Sequence, residues 1–129
     1  MRFDLVDRVL ERGERRVVTL KAVTVAEEYL ADHFPGFAVL PGVMMMEALV
    51  QAGRALARGD ADAPAGPKLV LREARNVRYG NMVRPGQSLV VEVELTGRDG
   101  DAWQFKGTGR VDEHTAVQAK FTLAPPPVG

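Results

Sequence analysis

The sequence contains no cysteine, which excludes disulfides, thiol nucleophiles and thiolate metal sites. It has only two histidines, His33 and His114, far apart along the chain. No metal-ligand spacing results, and neither a metal nor another cofactor is expected. Charge of one sign is not in excess: 17 Lys plus Arg balance 17 Asp plus Glu, so no global field attracts nucleic acid or an anionic membrane. Long apolar runs are missing too. The longest uncharged stretch, Phe34 to Met46, is broken by Pro35 and Pro41 and is too short to span a bilayer. The N-terminal "MRFDLVDRVLERGERR" is charged throughout and offers no apolar core for a secretory signal. The cytoplasm is therefore the expected location, without membrane insertion.

What is present suits one globular domain over residues 1–129, with 46% apolar and 26% charged residues. "FDLVDRVLERGERRVVTLKAV" reads as two strands turning at Gly13. "TVAEEYL" has Thr24 and Glu27 at capping-box spacing and predicts a short helix. A longer helix starts near Pro41-Gly42 and runs to about Arg58, proline being harmless in a first turn. Residues 59–67, "GDADAPAGP", form a flexible loop. Four strands follow: "KLVLREARNVRY", "SLVVEVELTGR", "AWQFKGTGRV" and "TAVQAKFTLA". Residues 124–129 form a frayed tail. "GTG" at Gly107–Gly109 lies inside a strand and opens no helix, so it is no dinucleotide loop. One long helix and many antiparallel strands predict an α+β domain whose sheet encloses the helix.

At 100° per residue, Glu47, Gln51, Arg54 and Arg58 share an arc of about 60°, and the rest of the helix is apolar or glycine. Gly53, which costs roughly 1 kcal/mol relative to alanine, points to a close backbone approach. The stripe by itself also reads as a solvated face. Glu47, however, has only apolar immediate neighbours and sits toward the helix N-terminus, where peptide dipoles favour an anion by roughly 0.3–1 kcal/mol. A carboxylate enclosed there needs partners, and Gln51 is one turn away. His33, beside Phe34 and Pro35, equally suits a structural role, and His114 in "VDEHTA" reads as exposed. Met44, Met45 and Met46 read as core or dimer packing, with the lining of an acyl tunnel as the alternative. Lys68, Arg72, Arg75, Arg78 and Arg84 face a single acid, Glu73; this stripe reads as a solvated strand face or, alternatively, a landing surface for an acidic partner.

"HFPG" at His33–Gly36, followed by "LPGVMMMEALVQ" with its acid fourteen positions after the histidine, resembles the 3-hydroxyacyl-acyl carrier protein dehydratases of the FabZ/FabA type. "LVDRVLE", "VRPGQSL", "VEVEL" and "WQFKGTGRVD" extend the likeness from about Phe3 to Leu123. The resemblance implies the hot-dog fold, a long central helix wrapped by a curved antiparallel sheet. It implies a homodimer or dimer-based oligomer, with His33 of one subunit meeting Glu47 of the other in a dry slot, and acyl carrier protein as substrate carrier. The implied activity is loss of water from a 3-hydroxyacyl thioester to give a trans-2-enoyl thioester in fatty-acid or related synthesis. A neutral imidazole is a suitable base near neutral pH for the α-proton. A carboxyl group can bind the 3-hydroxyl and help protonate it. Which of the two moves which proton stays open. By the same resemblance the Gly42 N–H receives the thioester oxygen, the Val39 carbonyl fixes the histidine ring and Gln51 orients Glu47. The sequence departs from the family pattern at Asp32, at Gly80–Met82 and at Gln87. A hot-dog acyl thioesterase and a non-catalytic acyl-carrier-binding module are the alternatives.

Overall fold

Apolar residues at every second position, Leu89, Val91, Val93 and Leu95, give one strand a wholly buried face. In the computed structural model, which describes residues 5–23, 42–58 and 69–126, this strand is β4, Ser88–Asp99. The others are β1 (Arg8–Arg12), β2 (Arg16–Ala22), β3 (Val70–Tyr79), β5 (Ala102–Val111) and β6 (His114–Ala124). They form one antiparallel sheet in the order β1-β2-β4-β5-β6-β3. The single described helix, α1, spans Gly42–Arg58 and packs against β2, β4, β5 and β6. The expected helix at 24–30 and the loop at 59–67 lie outside the described residues. Among the described residues no helix is long and apolar enough to cross a membrane.

The seat for α1 is made by small residues. Gly107 faces Val93 and Ala119 across the sheet, and Gly109 faces Val91 and Val117. A Cβ at Gly107 would stand 3.2 Å from Leu49 of α1 and 3.2 Å from the Phe121 ring. Gly53 meets the same ring from the helix side, where a Cβ would be 3.0 Å away. Phe121 in turn stacks on Phe105 with ring centroids 5.2 Å apart. Large rings flanking a glycine trough thus let the helix backbone settle onto the sheet. Leu49, Val50, Ala52 and Leu56 are buried there with Met45 and Met46, each large side chain contributing roughly 1.5–3 kcal/mol.

The turns follow their residues. Gly100 closes the β4–β5 hairpin at φ 62° and Gly86 has φ 91°, values that favour glycine. Gln87 ties its own turn: its backbone N–H donates to the Arg84 carbonyl at 3.0 Å, and its Oε1 accepts from the Arg84 N–H at 2.8 Å.

β3 is a ten-residue edge strand, paired on one side with β6. Arg72, Arg75 and Arg78 are exposed on it as the sequence suggests, but so are Leu71, Val77 and Tyr79. Long edges carrying apolar side chains are templates for pairing.

Among the described residues, one buried side-chain polar atom has no hydrogen-bond partner: the Thr19 hydroxyl, on the inner face of β2. A buried unpaired hydroxyl costs about 1–3 kcal/mol. Thr19→Val keeps the shape and removes it, so it is expected to stabilise the fold by about 1 kcal/mol. A thermal melt should show a midpoint roughly 4 °C higher; a lower midpoint would mean that the hydroxyl is satisfied in solution.

Candidate active site

The polar stripe of α1 lies on the side turned away from the sheet. Glu47 is one helical turn before Gln51, and the Gln51 Nε2 donates to Glu47 Oε1 at 3.3 Å. Gln51 is held from its other end, where its Oε1 accepts the Leu5 backbone N–H at 2.7 Å. Arg54 places a guanidinium nitrogen 3.6 Å from the same Glu47 oxygen. Its Nε donates to the Leu69 carbonyl at 2.7 Å, just before β3. Glu47 Oε2 has no partner among the described residues.

Two expectations about Glu47 need correction. No acid lies in the first turn of α1, and Glu47 is beyond it. The dipole effect falls off within that turn, so the donors Gln51 and Arg54, rather than the helix end, are its electrostatic partners. The sequence also suggested an enclosed carboxylate, yet in the single chain the Glu47 side chain is 40% exposed. Its apolar neighbours Met46 and Ala48 turn toward the sheet, whereas Glu47 occupies the uncovered side.

The start of α1 carries one exposed apolar residue and one aromatic contact. Val43 is 70% exposed, while Tyr79 at the end of β3 lies over Gly42 with its ring 3.2 Å from where a Cβ would stand. A glycine here keeps this contact free of strain. Sequence reasoning did not single out Tyr79; a tyrosine ending an edge strand carries no local signal of contact with a helix start. The sequence places Arg54 in the stripe but gives it no role. His33 and Val39 lie outside the described residues, so the structure brings together Glu47 and Gln51 and sets Gly42 at the same helix. His114 is exposed and lines a shallow surface depression with Arg84 and Asp112. Among the described residues no group of three His, Asp or Glu is placed to hold a metal ion.

A long helix seated on the inner face of a six-stranded antiparallel sheet, with a carboxylate on its uncovered side, defines a hot-dog protein. A solved chain of the dehydratase heterocomplex ApeI:P from Xenorhabdus doucetiae has the same fold, with a TM-score of 0.73 at 20% identity, covering 96% of this chain and 84% of that one. So does thioesterase superfamily member 2 from Mus musculus, with a TM-score of 0.70 at 9% identity over 92% and 81%. The fold alone therefore does not choose a reaction.

Sequence similarity is narrower. The model of the FabA-like domain matches residues 1–120. A 3-hydroxyacyl-[acyl-carrier-protein] dehydratase FabZ of Bacillus pumilus is 38% identical over 123 residues, covering 95% of this chain and 85% of its own length. The chain belongs to the FabA-like family.

Proposed function

We infer that this chain is an enzyme, a hydro-lyase that removes water from 3-hydroxyacyl thioesters carried on acyl carrier protein, as a step of fatty-acid synthesis. The observation that carries the reading is the carboxylate on the open side of the central helix, oriented by Gln51, in a chain similar over nearly its whole length to dehydratases named for that substrate.

The chemistry assigns the roles. His33, as neutral imidazole, takes the α-proton between the thioester carbonyl and C3. The electrons form the C2–C3 double bond, and the C3–O bond breaks. Glu47 binds the leaving hydroxyl and supplies the proton that makes it water, and the proton on His33 then returns to Glu47. Charge that builds on the thioester oxygen is received by the Gly42 N–H at the helix start, where aligned peptide dipoles help. The Val39 carbonyl fixes the imidazole ring, and Gln51 orients the carboxyl.

The working form is a homodimer in this reading. Exposed Leu71, Val77, Tyr79 and Val43 around the β3 edge support it, because a second copy would cover both that edge and the open side of Glu47. Intracellular location follows from the carrier-bound substrate.

The direct test is incubation of the purified protein with 3-hydroxyacyl chains on carrier protein. Near-ultraviolet absorbance of the enoyl thioester should rise with no release of free thiol. Thiol release without enoyl product would replace this reading with thioester hydrolysis; tight carrier binding without turnover would leave a binding module.

A further inference from the structure

Among the described residues, Oε1 of Glu47 is approached only by donors. Gln51 Nε2 lies at 3.3 Å and an Arg54 guanidinium nitrogen at 3.6 Å. Neither group can accept a hydrogen bond through these nitrogens. A proton carried by the carboxyl therefore cannot sit on Oε1 without facing both donors. It is confined to Oε2, which has no partner among the described residues.

Arg54 is itself fixed. Its Nε is spent on the Leu69 carbonyl at 2.7 Å, and its side chain is 24% exposed. The guanidinium is planar, so holding Nε sets the direction of the remaining nitrogens. Gln51 is anchored in the same manner by the Leu5 N–H. The carboxyl is thus oriented by two independent anchors on the backbone, one before β1 and one before β3. A single glutamine one turn away would leave rotation about the carboxyl bond less restricted.

We propose that Arg54 is a positioning residue for the dehydration: with Gln51 it makes Glu47 Oε1 a fixed acceptor and reserves Oε2 as the oxygen that meets the 3-hydroxyl and carries the transferable proton. The inference rests on the dehydratase reading above. It adds to it a residue that touches no substrate and acts through Glu47 alone.

The test is steady-state kinetics of the full chain with a 3-hydroxyacyl-carrier substrate, well below the thermal midpoint of each variant. Arg54→Met keeps the apolar stem and removes both polar contacts. The expected result is a fall in kcat of about 10-fold with KM changed less than about twofold, because orientation of the reacting group rather than substrate binding is lost. Arg54→Lys restores a cation near Oε1 but not the planar fork, and should recover roughly a third of the wild-type rate. In a Glu47→Ala background Arg54→Met should produce no further loss. Wild-type kcat in Arg54→Met overturns the proposal, as does an undiminished loss in the Glu47→Ala background. If Arg54→Met does not fold, Arg54→Lys decides: a rate equal to wild type overturns the role. A wild-type protein inactive on every such substrate would sink the dehydratase reading and this role together, whereas active wild type with indifferent Arg54 variants sinks this role only.

Discussion

His33→Ala is expected to lower kcat/KM by at least about 100-fold, read from enoyl-thioester absorbance. The α-proton of a thioester is weakly acidic, and a positioned base typically contributes 10²–10⁴-fold to such a transfer. Among the described residues near the helix start, no side chain offers a second imidazole. Gly42 offers only a donor, and Glu47 has one oxygen facing Gln51 and Arg54 and the other assigned to the leaving hydroxyl. The residual rate would come from binding and from the oxyanion donor. Glu47→Gln should cost a similar factor. The double variant should lose less than the product of the two, because the residues act on one elimination. Circular dichroism must be unchanged for these losses to report chemistry. A His33→Ala enzyme with full activity would remove the imidazole from the mechanism.

The largest expected effect on stability is that of Gly107→Val. An added Cβ at this position already stands 3.2 Å from Leu49 and 3.2 Å from Phe121, and valine adds two methyls beyond it. Both neighbours are themselves buried, Phe121 stacked on Phe105 and Leu49 on the sheet-facing side of α1. Neither can swing toward solvent. Overpacking of this kind costs about 1–3 kcal/mol, sometimes more. An expected loss of about 3 kcal/mol should lower the melting midpoint by roughly 10 °C. Activity should fall as well, because Leu49 can yield only by lifting α1, and Glu47 rides on the same turn. Gly107→Ala should show the same direction with a smaller shift. A valine variant as stable as the parent would mean that the helix does not rest on this strand.

Much of this architecture was legible beforehand because it follows from local pattern. Apolar residues at alternate positions from Leu89 to Leu95 specify a strand with one buried face, and Asp99-Gly100 specifies its hairpin. The bounds of α1 were likewise readable from Pro41-Gly42 and from the apolar run that follows. Gly53 announced a close approach, and the Phe121 ring is what it approaches. The polar stripe was visible as an arc, with Glu47 and Gln51 one turn apart, and their hydrogen bond follows from helix geometry alone.

Other features depend on contacts between residues distant in the chain. The order of strands places β3 at the edge beside β6, and no property of "LVLREARNVRY" states that its apolar residues will be left exposed. Likewise, a helix wheel places Arg54 on the stripe, but only the path of the chain brings the Leu69 carbonyl within 2.7 Å of its Nε. The contact of Tyr79 with Gly42 and that of Leu5 with Gln51 have the same origin.

The amino-acid sequence on its own determined the described strands, the central helix and its polar stripe, because hydrophobic period and turn chemistry act over a few residues. Tertiary structure alone decided which face of the helix stays uncovered, which strand ends the sheet and how the carboxylate is held. These depend on where separated segments meet, and no local rule carries that information.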